Sequence, residues 1–537
     1  MLNFLIGGLD DQLANYVWGG ISGPLFKITE ECLQDYPLYS NMFWGFQHPL
    51  LTSQPLYNLV NSVLLTIFGS GVFNVFVLLT LLANFIVTYL ALRKFKAGLA
   101  LALLFSFSSY AWIHMGKHLD LSQLWVFPAM YILLQKSNKH GSIPYLHSVK
   151  TGLFIFLVGV ISNYYGFFLF VYYSLYTFLN VSFGLKSKAD LLKEIKSFSI
   201  SILVSIIMLL ITLFPYFKAT YIDYDTERQN GFFALGVQRP LEDFITFSAR
   251  PWYSVLPPLE NPLFGSITKN ALEIGYKTNY FLADDYFAKE HSGNYFGLLF
   301  SFVTLITVIY LLAKKPTILG KEAKIYLILY ILFFILMLPP YFTVSGIRFW
   351  TPGYLIFKLF PMFRVTARLS ILQLFSLVVM AGYVFDYFFT VMKPRNAVIL
   401  TLVLALFTLS EVFVPVTVYK ETAGSEVYDY LSKNVPICAK VAVYPGAQSE
   451  VALLTLPKHN KLLLNPVDYR VSDYDYSEFT SQLPTTSGFG KFSELGGEYL
   501  VVFKEDLSAE ARVFFSNNIS LQNVAEFPSA YVYRRIE

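Results

Sequence analysis

Long apolar runs separated by short basic connections constrain this chain more than any other feature. A helix that crosses a bilayer needs about 20 apolar residues. Runs near that length occur at 72–92, 98–114, 119–135, 148–162, 164–184, 197–216, 294–313, 324–343, 367–391 and 396–418. The connections alternate in character. Arg93-Lys94-Phe95-Lys96, 136–150, 186–196, 314–324 and Lys393-Pro394-Arg395 are short and basic. By the positive-inside rule the basic set faces the cytoplasm. The connections 116–118, 162–163, 217–293 and 345–364, with the tail from 419, then face outward. Only 14% of the 537 residues are charged and 55% are hydrophobic, far from the quarter charged that a soluble domain carries. The fold expected is an all-α polytopic membrane bundle of about ten transmembrane helices.

The membrane domain is expected over 1–423, with outer loops 10–70, 217–293 and 345–364. Residues 51–69 are apolar but interrupted by Pro55, Asn58 and Asn61, and read as an interfacial helix. The loop 217–293 is too long for a passive connector. From about 424 the membrane pattern stops. Residues 425–433 have helical periodicity, and 440–444, 461–465, 499–504 and 531–535 read as short strands, a small extracytoplasmic α/β domain over 424–537. A net charge of +4, with no basic stripe interleaved with aromatics outside the spans, carries no nucleic-acid signature. Cys32 and Cys438 both fall in outward segments; a disulfide is open to them, but their separation favours two unpaired thiols. No cleavable signal peptide is visible.

Four stretches carry candidate chemistry. Gly7-Gly8-Leu9-Asp10-Asp11-Gln12 places two carboxylates at the outer face, where one can act as a general base or a metal ligand; the competing reading is a cap on the following helix. Leu359-Phe360-Pro361-Met362-Phe363-Arg364-Val365-Thr366-Ala367-Arg368 sets two arginines four apart on one helix face at the mouth of a span. They are suited to gripping phosphate oxygens, or to snorkelling toward headgroups. His114-Met115-Gly116-Lys117-His118-Leu119-Asp120 lies at a tight outer turn. Its two histidines have metal spacing, but Gly116 between them is expected to break the helix, which favours a polar cleft wall. The run Leu256-Pro257-Pro258-Leu259-Glu260-Asn261-Pro262-Leu263-Phe264-Gly265 reads as architecture, and Glu290-His291 as either a helix-start charge or a site carboxylate.

Taken in chain order, the acidic loop, the His-bearing turn, the Pro-rich run and the Phe-Pro-x-Phe-Arg-x-x-x-Arg entry to a late span resemble the bacterial GT-C-type membrane glycosyltransferases, in particular their YfhO-like branch. The resemblance covers most of the chain in layout, through short and degenerate motifs. It implies an inverting transfer of a sugar from a polyprenyl-phosphate-linked donor to an envelope acceptor (glycan, lipid or protein) at the outer face. Asp10 or Asp11 would be the base, and Arg364 and Arg368 would hold the donor phosphate. His114, His118, Asp120, Glu290 and His291 would line the cleft. A divalent ion, Mg or Mn, is compatible with this chemistry but no residue pattern demands it. The family has a complete membrane helix before its acidic loop, whereas only eight residues, Met1 to Gly8, precede it here. A transporter or flippase of lipid-linked saccharides would show inverted repeats and mid-membrane polar groups, which the sequence lacks. A non-catalytic envelope protein would have no phosphate site.

Overall fold

The computed structural model describes residues 4–6, 56–57, 60, 72–139, 144–184, 188–217, 241–278, 290–315, 319–344, 347–415, 418–420, 425–446, 452, 455, 459–465, 470–471, 474–505 and 507–536. The chain forms two compact units. One comprises residues 75–212 and 237–417; the other comprises 1–74, 213–236 and 418–537.

The first unit is mostly helical. Its helices are α1 (Val72–Leu92), α2 (Gly98–Ser106), α3 (Ser109–Lys117), α4 (Val126–Lys139), α5 (Pro144–Ile161), α6 (Asn163–Gly184), α7 (Lys188–Phe217), α8 (Leu241–Thr246), α9 (Gly265–Thr278), α10 (Leu298–Lys314), α11 (Lys321–Leu336), α12 (Gly353–Leu359), α13 (Ser370–Val391) and α14 (Pro394–Val412). A hairpin of β2 (Tyr341–Val344) and β3 (Ile347–Trp350) interrupts them. Among the described residues seven stretches are long and apolar enough to cross a membrane, with shorter apolar helices at Val126–Gln135 and Tyr145–Ile161. Each of the ten apolar runs contains a helix, with ends that move for local reasons. The run 119–135 opens as turns, and its helix begins at Val126. The run 324–343 stops being helical at Leu336, because Pro339-Pro340 can donate no backbone N–H and clash with the preceding turn.

Helix α13 is the axis of this unit. Of its membrane-crossing window 89% is buried, against 11% for that of Leu191–Phe214 in α7. It packs on α11, α10, α14 and α2. At Gly382 the ring of Phe95 lies so close that an added Cβ would sit 2.5 Å from it. The basic connections meet at one end of the bundle. There Lys94 Nζ lies 2.8 Å from Glu322 Oε2, Gln135 Nε2 donates to Glu322 Oε1 (2.7 Å) and the Tyr383 hydroxyl donates to Oε2 (2.6 Å). Lys321 Nζ donates to the Asn180 carbonyl at 2.7 Å.

In the second unit, β1 (Phe4–Ile6) pairs antiparallel with β4 (Val418–Lys420). After α15 (Ser425–Asn434) comes a five-stranded mixed sheet of β5 (Lys440–Tyr444), β6 (Leu462–Leu463), β9 (Tyr499–Phe503), β10 (Leu521–Glu526) and β11 (Ala530–Arg535), in the order β10-β11-β9-β5-β6. β5 runs parallel to β6 and β9, and β11 pairs antiparallel with β9 and β10. A small β7–β8 ladder (Arg470–Val471, Tyr474–Asp475) precedes α16 (Tyr476–Gln482) and α17 (Thr486–Glu494); α18 (Ala509–Asn517) follows β9. The β9 residues are all buried, as expected of a central strand. Thr485 and Ser508 cap α17 and α18, their hydroxyls accepting from the Gly488 and Ala511 amides. Cys438 is disulfide-bonded, which corrects the expectation of unpaired thiols; Cys32 lies outside the described residues.

Helices α5 and α6 meet through glycine. A Cβ on Gly166 would stand 2.5 Å from Gly159 Cα. Gly166→Val should therefore cost about 1–3 kcal/mol, read as thermal unfolding in detergent. Gly320→Ala, where nothing lies within 4 Å of the added carbon, should shift stability by less than about 0.5 kcal/mol.

Candidate functional site

The end of the bundle away from the Glu322 cluster gathers most of the charge expected at the mouth. Arg368 sits in a 3₁₀ turn, Thr366–Leu369, just ahead of α13. That turn is fastened from two sides. The Ala367 amide donates to the Phe247 carbonyl (3.2 Å), and the Thr366 hydroxyl donates to the Met337 carbonyl (3.3 Å). Glu290 immediately precedes a second 3₁₀ turn, His291–Asn294, where Asn294 Nδ2 donates to the Glu290 carbonyl at 2.6 Å. This turn packs against α3 at Gly293, whose missing Cβ would lie 3.7 Å from the Tyr110 ring and 3.8 Å from His114 Cε1.

The two turns bring Arg368 and Glu290 together. Arg368 Nε and Nη2 both donate to Glu290 Oε1, at 3.1 and 2.9 Å. The second oxygen, Oε2, faces His114 Nε2 at 3.6 Å. His114 Nδ1 donates to the Tyr110 carbonyl (2.8 Å), and its ring stacks on that of Tyr110 with centroids 4.0 Å apart. The Arg368 guanidinium also lies 5.0 Å from the Tyr164 ring centre. Both partners of the ion pair are buried, with side chains 10% and 12% exposed. Burial alone would raise the Glu290 carboxyl. The Arg368 guanidinium, with His114 and His118, outweighs it and holds the group well below the usual carboxylate range.

Asp120 closes one side of this group. The turn carrying it is tied to α1 by Asn84, whose side chain donates to the Ser122 carbonyl and accepts from the Trp125 amide, each at 2.9 Å. Ser162, between α5 and α6, donates to Asp120 Oδ2 at 2.8 Å. Burial pushes the Asp120 carboxyl up, and Ser162, Arg368 and His114 restrain it. Tyr165 anchors the same turn by donating to the Leu121 carbonyl.

Arg364 is not on a helix face with Arg368. It lies in non-helical backbone before the 3₁₀ turn, where Nη1 donates to Asp243 Oδ2 (2.5 Å) and the guanidinium lies 4.7 Å from the Phe247 ring centre. A stacked pair, Phe167 and Phe363 (4.2 Å), flanks it. Gly116 does not break α3, which continues to Lys117 with His118 as its C-cap; the His114 and His118 rings lie 6.3 Å apart. His291 is buried edge-on to Tyr253 (4.8 Å). Glu260 accepts from the Ser292 hydroxyl at 2.5 Å. Asn261 caps the end of α14, its amide donating to the Ser410, Glu411 and Phe413 carbonyls. Asp10 and Asp11 lie outside the described residues. Among the described residues no three His, Cys, Asp or Glu side chains are grouped to hold a metal ion. Sequence reasoning missed Tyr110, Tyr164, Ser162 and Asp243. Ser162 had been placed only in the outward connection 162–163, and Asp243 is part of the acidic Glu242-Asp243 start of α8.

No protein-family model matches the chain, and no curated protein matches it. Solved structures do. The chain is similar to the arabinofuranosyltransferase AftD from Mycobacteria, at 11% identity and a TM-score of 0.50, over 100% of this chain and 38% of that one. It thus spans well under half of AftD's length. ArnT from Cupriavidus metallidurans, bound to undecaprenyl phosphate, aligns at 12% identity and a TM-score of 0.37, over 98% of this chain and 96% of that one. The likeness to AftD is one of fold.

Glu290→Gln leaves Arg368 buried without its counter-charge and should cost about 3–5 kcal/mol, seen as a lowered melting temperature. Asp120→Asn keeps an acceptor for Ser162 and removes a carboxyl that burial disfavours as an anion; it should change stability by less than about 1 kcal/mol at neutral pH. The Glu290 carboxyl is depressed in the folded state, so its contribution is complete above its ordinary value of 4.5 and falls away as the pH drops below it. Melting curves across that range should show this loss in the native protein and not in Glu290→Gln.

Proposed function

We propose that the protein is a membrane glycosyltransferase of the GT-C type. It moves a sugar from a polyprenyl-phosphate-linked donor to an envelope acceptor, with inversion. The observation that carries this reading is the fold likeness to AftD along the whole chain. The charged mouth supports it: a bundle end with Arg368, Glu290, His114 and Asp120 is where a lipid-borne headgroup would meet water-borne chemistry.

In this scheme Asp10 or Asp11 removes the acceptor proton as the hydroxyl attacks the anomeric carbon. The donor phosphate leaves, and arginine stabilises the charge that it gains. Arg364, with its side chain 29% exposed, is the more accessible of the two arginines. Arg368, held by Glu290 through Nε and Nη2, would present Nη1. His118 and His291 would shape the cleft wall. The mouth faces outward. One observation supports that orientation: the basic connections gather at the other end.

The test is turnover of a panel of polyprenyl-phosphate sugars by the purified protein in liposomes, alongside Asp10→Asn, Asp11→Asn and Arg364→Ala. One Asp variant should lose about 10²–10⁴-fold in rate while still binding donor. Arg364→Ala should weaken donor binding. A donor that binds but is never consumed, with or without divalent ions and across candidate acceptors, would sink the transferase reading in favour of transport.

A further inference from the structure

We propose that residues 341–344 and 347–362 form a lipid-contact platform, seated at the boundary between headgroups and acyl chains and selective for anionic phospholipid. The inference does not rest on the transferase reading.

The segment is pinned at both ends to one place. It leaves α11 near Met337, whose carbonyl accepts from the Ala249 amide (2.8 Å) and from Thr366 at the far end of the segment. It therefore starts and finishes at the end of the bundle where α13 would emerge from the membrane. Between those points it exposes more apolar surface than water tolerates. β3 is exposed along its whole length, on both faces, and among the described residues no further strand joins the two-stranded sheet. A lone hairpin of this kind is marginal in water. Ile347, Phe349, Trp350, Leu355, Leu359 and Met362 are between 42% and 67% exposed. Contiguous apolar patches of this sort mark contact surfaces. The inner face of α12 is used instead for packing, through buried Ile356 and a Phe357–Phe244 contact at 5.2 Å.

The chemistry of the exposed side selects the occupant. Tyr341, Trp350 and Tyr354 form an aromatic rim, with Trp350 and Tyr354 centroids 4.4 Å apart. Amphipathic rings of this kind settle at the bilayer interface. Arg348 lies 4.2 Å from the Tyr341 ring centre, and Lys358 lies 5.4 Å from that of Tyr354. No acidic residue occurs between 341 and 362. The platform thus offers two cations beside apolar surface, the pattern that meets anionic headgroups. A second copy of the same patch would bring like charges together, which disfavours self-association.

The experiment uses the full chain in liposomes and reads Trp350 emission as the difference between the native protein and Trp350→Phe, since the chain holds six tryptophans. Lipids brominated near the glycerol end of the acyl chain should quench this share more than lipids brominated near the methyl end. Brominated phosphatidylglycerol should quench it about twofold more than brominated phosphatidylcholine at equal mole fraction, and Arg348→Gln with Lys358→Gln should abolish that preference. Leu359→Trp in the Trp350→Phe background supplies a second reporter and should behave alike. Quenching by aqueous acrylamide but not by lipid would overturn the proposal, and so would shielding from both, which would mean that protein covers the patch. Equal quenching by the two headgroups would overturn the anionic selectivity.

Discussion

A buried arginine has to be neutralised where it stands, and much of the mouth of this protein follows from that requirement. Arg368 enters the bundle two residues ahead of α13, with its side chain 10% exposed. Leaving a charge there without a partner costs several kcal/mol. Glu290 supplies the partner, and to do so its turn must lie against α3 and the turn preceding α13 at once. Gly293 lies at the first contact, against Tyr110 and His114. His114 then faces the second carboxylate oxygen, and the Tyr164 ring lies against the guanidinium. The pair is a junction of segments far apart in sequence, which is why it organises the site as well as occupying it.

The same logic operates at the opposite end with different parts. Glu322 accepts hydrogen bonds from Lys94, Gln135 and Tyr383, which belong to the α1–α2 connection, α4 and α13. From Arg368 to Tyr383 the helix axis runs roughly 22 Å at 1.5 Å per residue. A central helix of almost unbroken burial is therefore anchored by charge near both ends and by apolar packing between. The apolar middle gives little directional information, because lipid and core are equally apolar. The charged ends supply the register.

Much of the fold was legible in the sequence. Apolar length and connection charge are local properties, so ten helical segments and the α/β character of the tail could be read directly. Errors fell where a local rule met a longer-range one. The run 324–343 is apolar throughout, yet Pro339-Pro340 ends the helix and frees the exposed hairpin. The spacing of Arg364 and Arg368 suggested one helix face, but Phe363 packs on Phe167 and the chain stays irregular until Thr366. Gly116 was expected to break α3; backbone hydrogen bonding carries the helix past it to His118. Strand β10 carried a mixed surface pattern (only its first residue is buried) and was not foreseen.

By itself the sequence determined that this is a membrane protein with many apolar helices, which connections are basic, and that an α/β segment follows. Hydropathy and periodicity act over one turn or one span, and need no knowledge of neighbours. Only the tertiary structure decided which charges meet. Arg368 pairs across 78 positions with Glu290, and Arg364 across 121 with Asp243. It also decided that Cys438 is bonded, and that β3 is exposed on both faces. These depend on the order in which helices pack, and no short stretch of chain records that order.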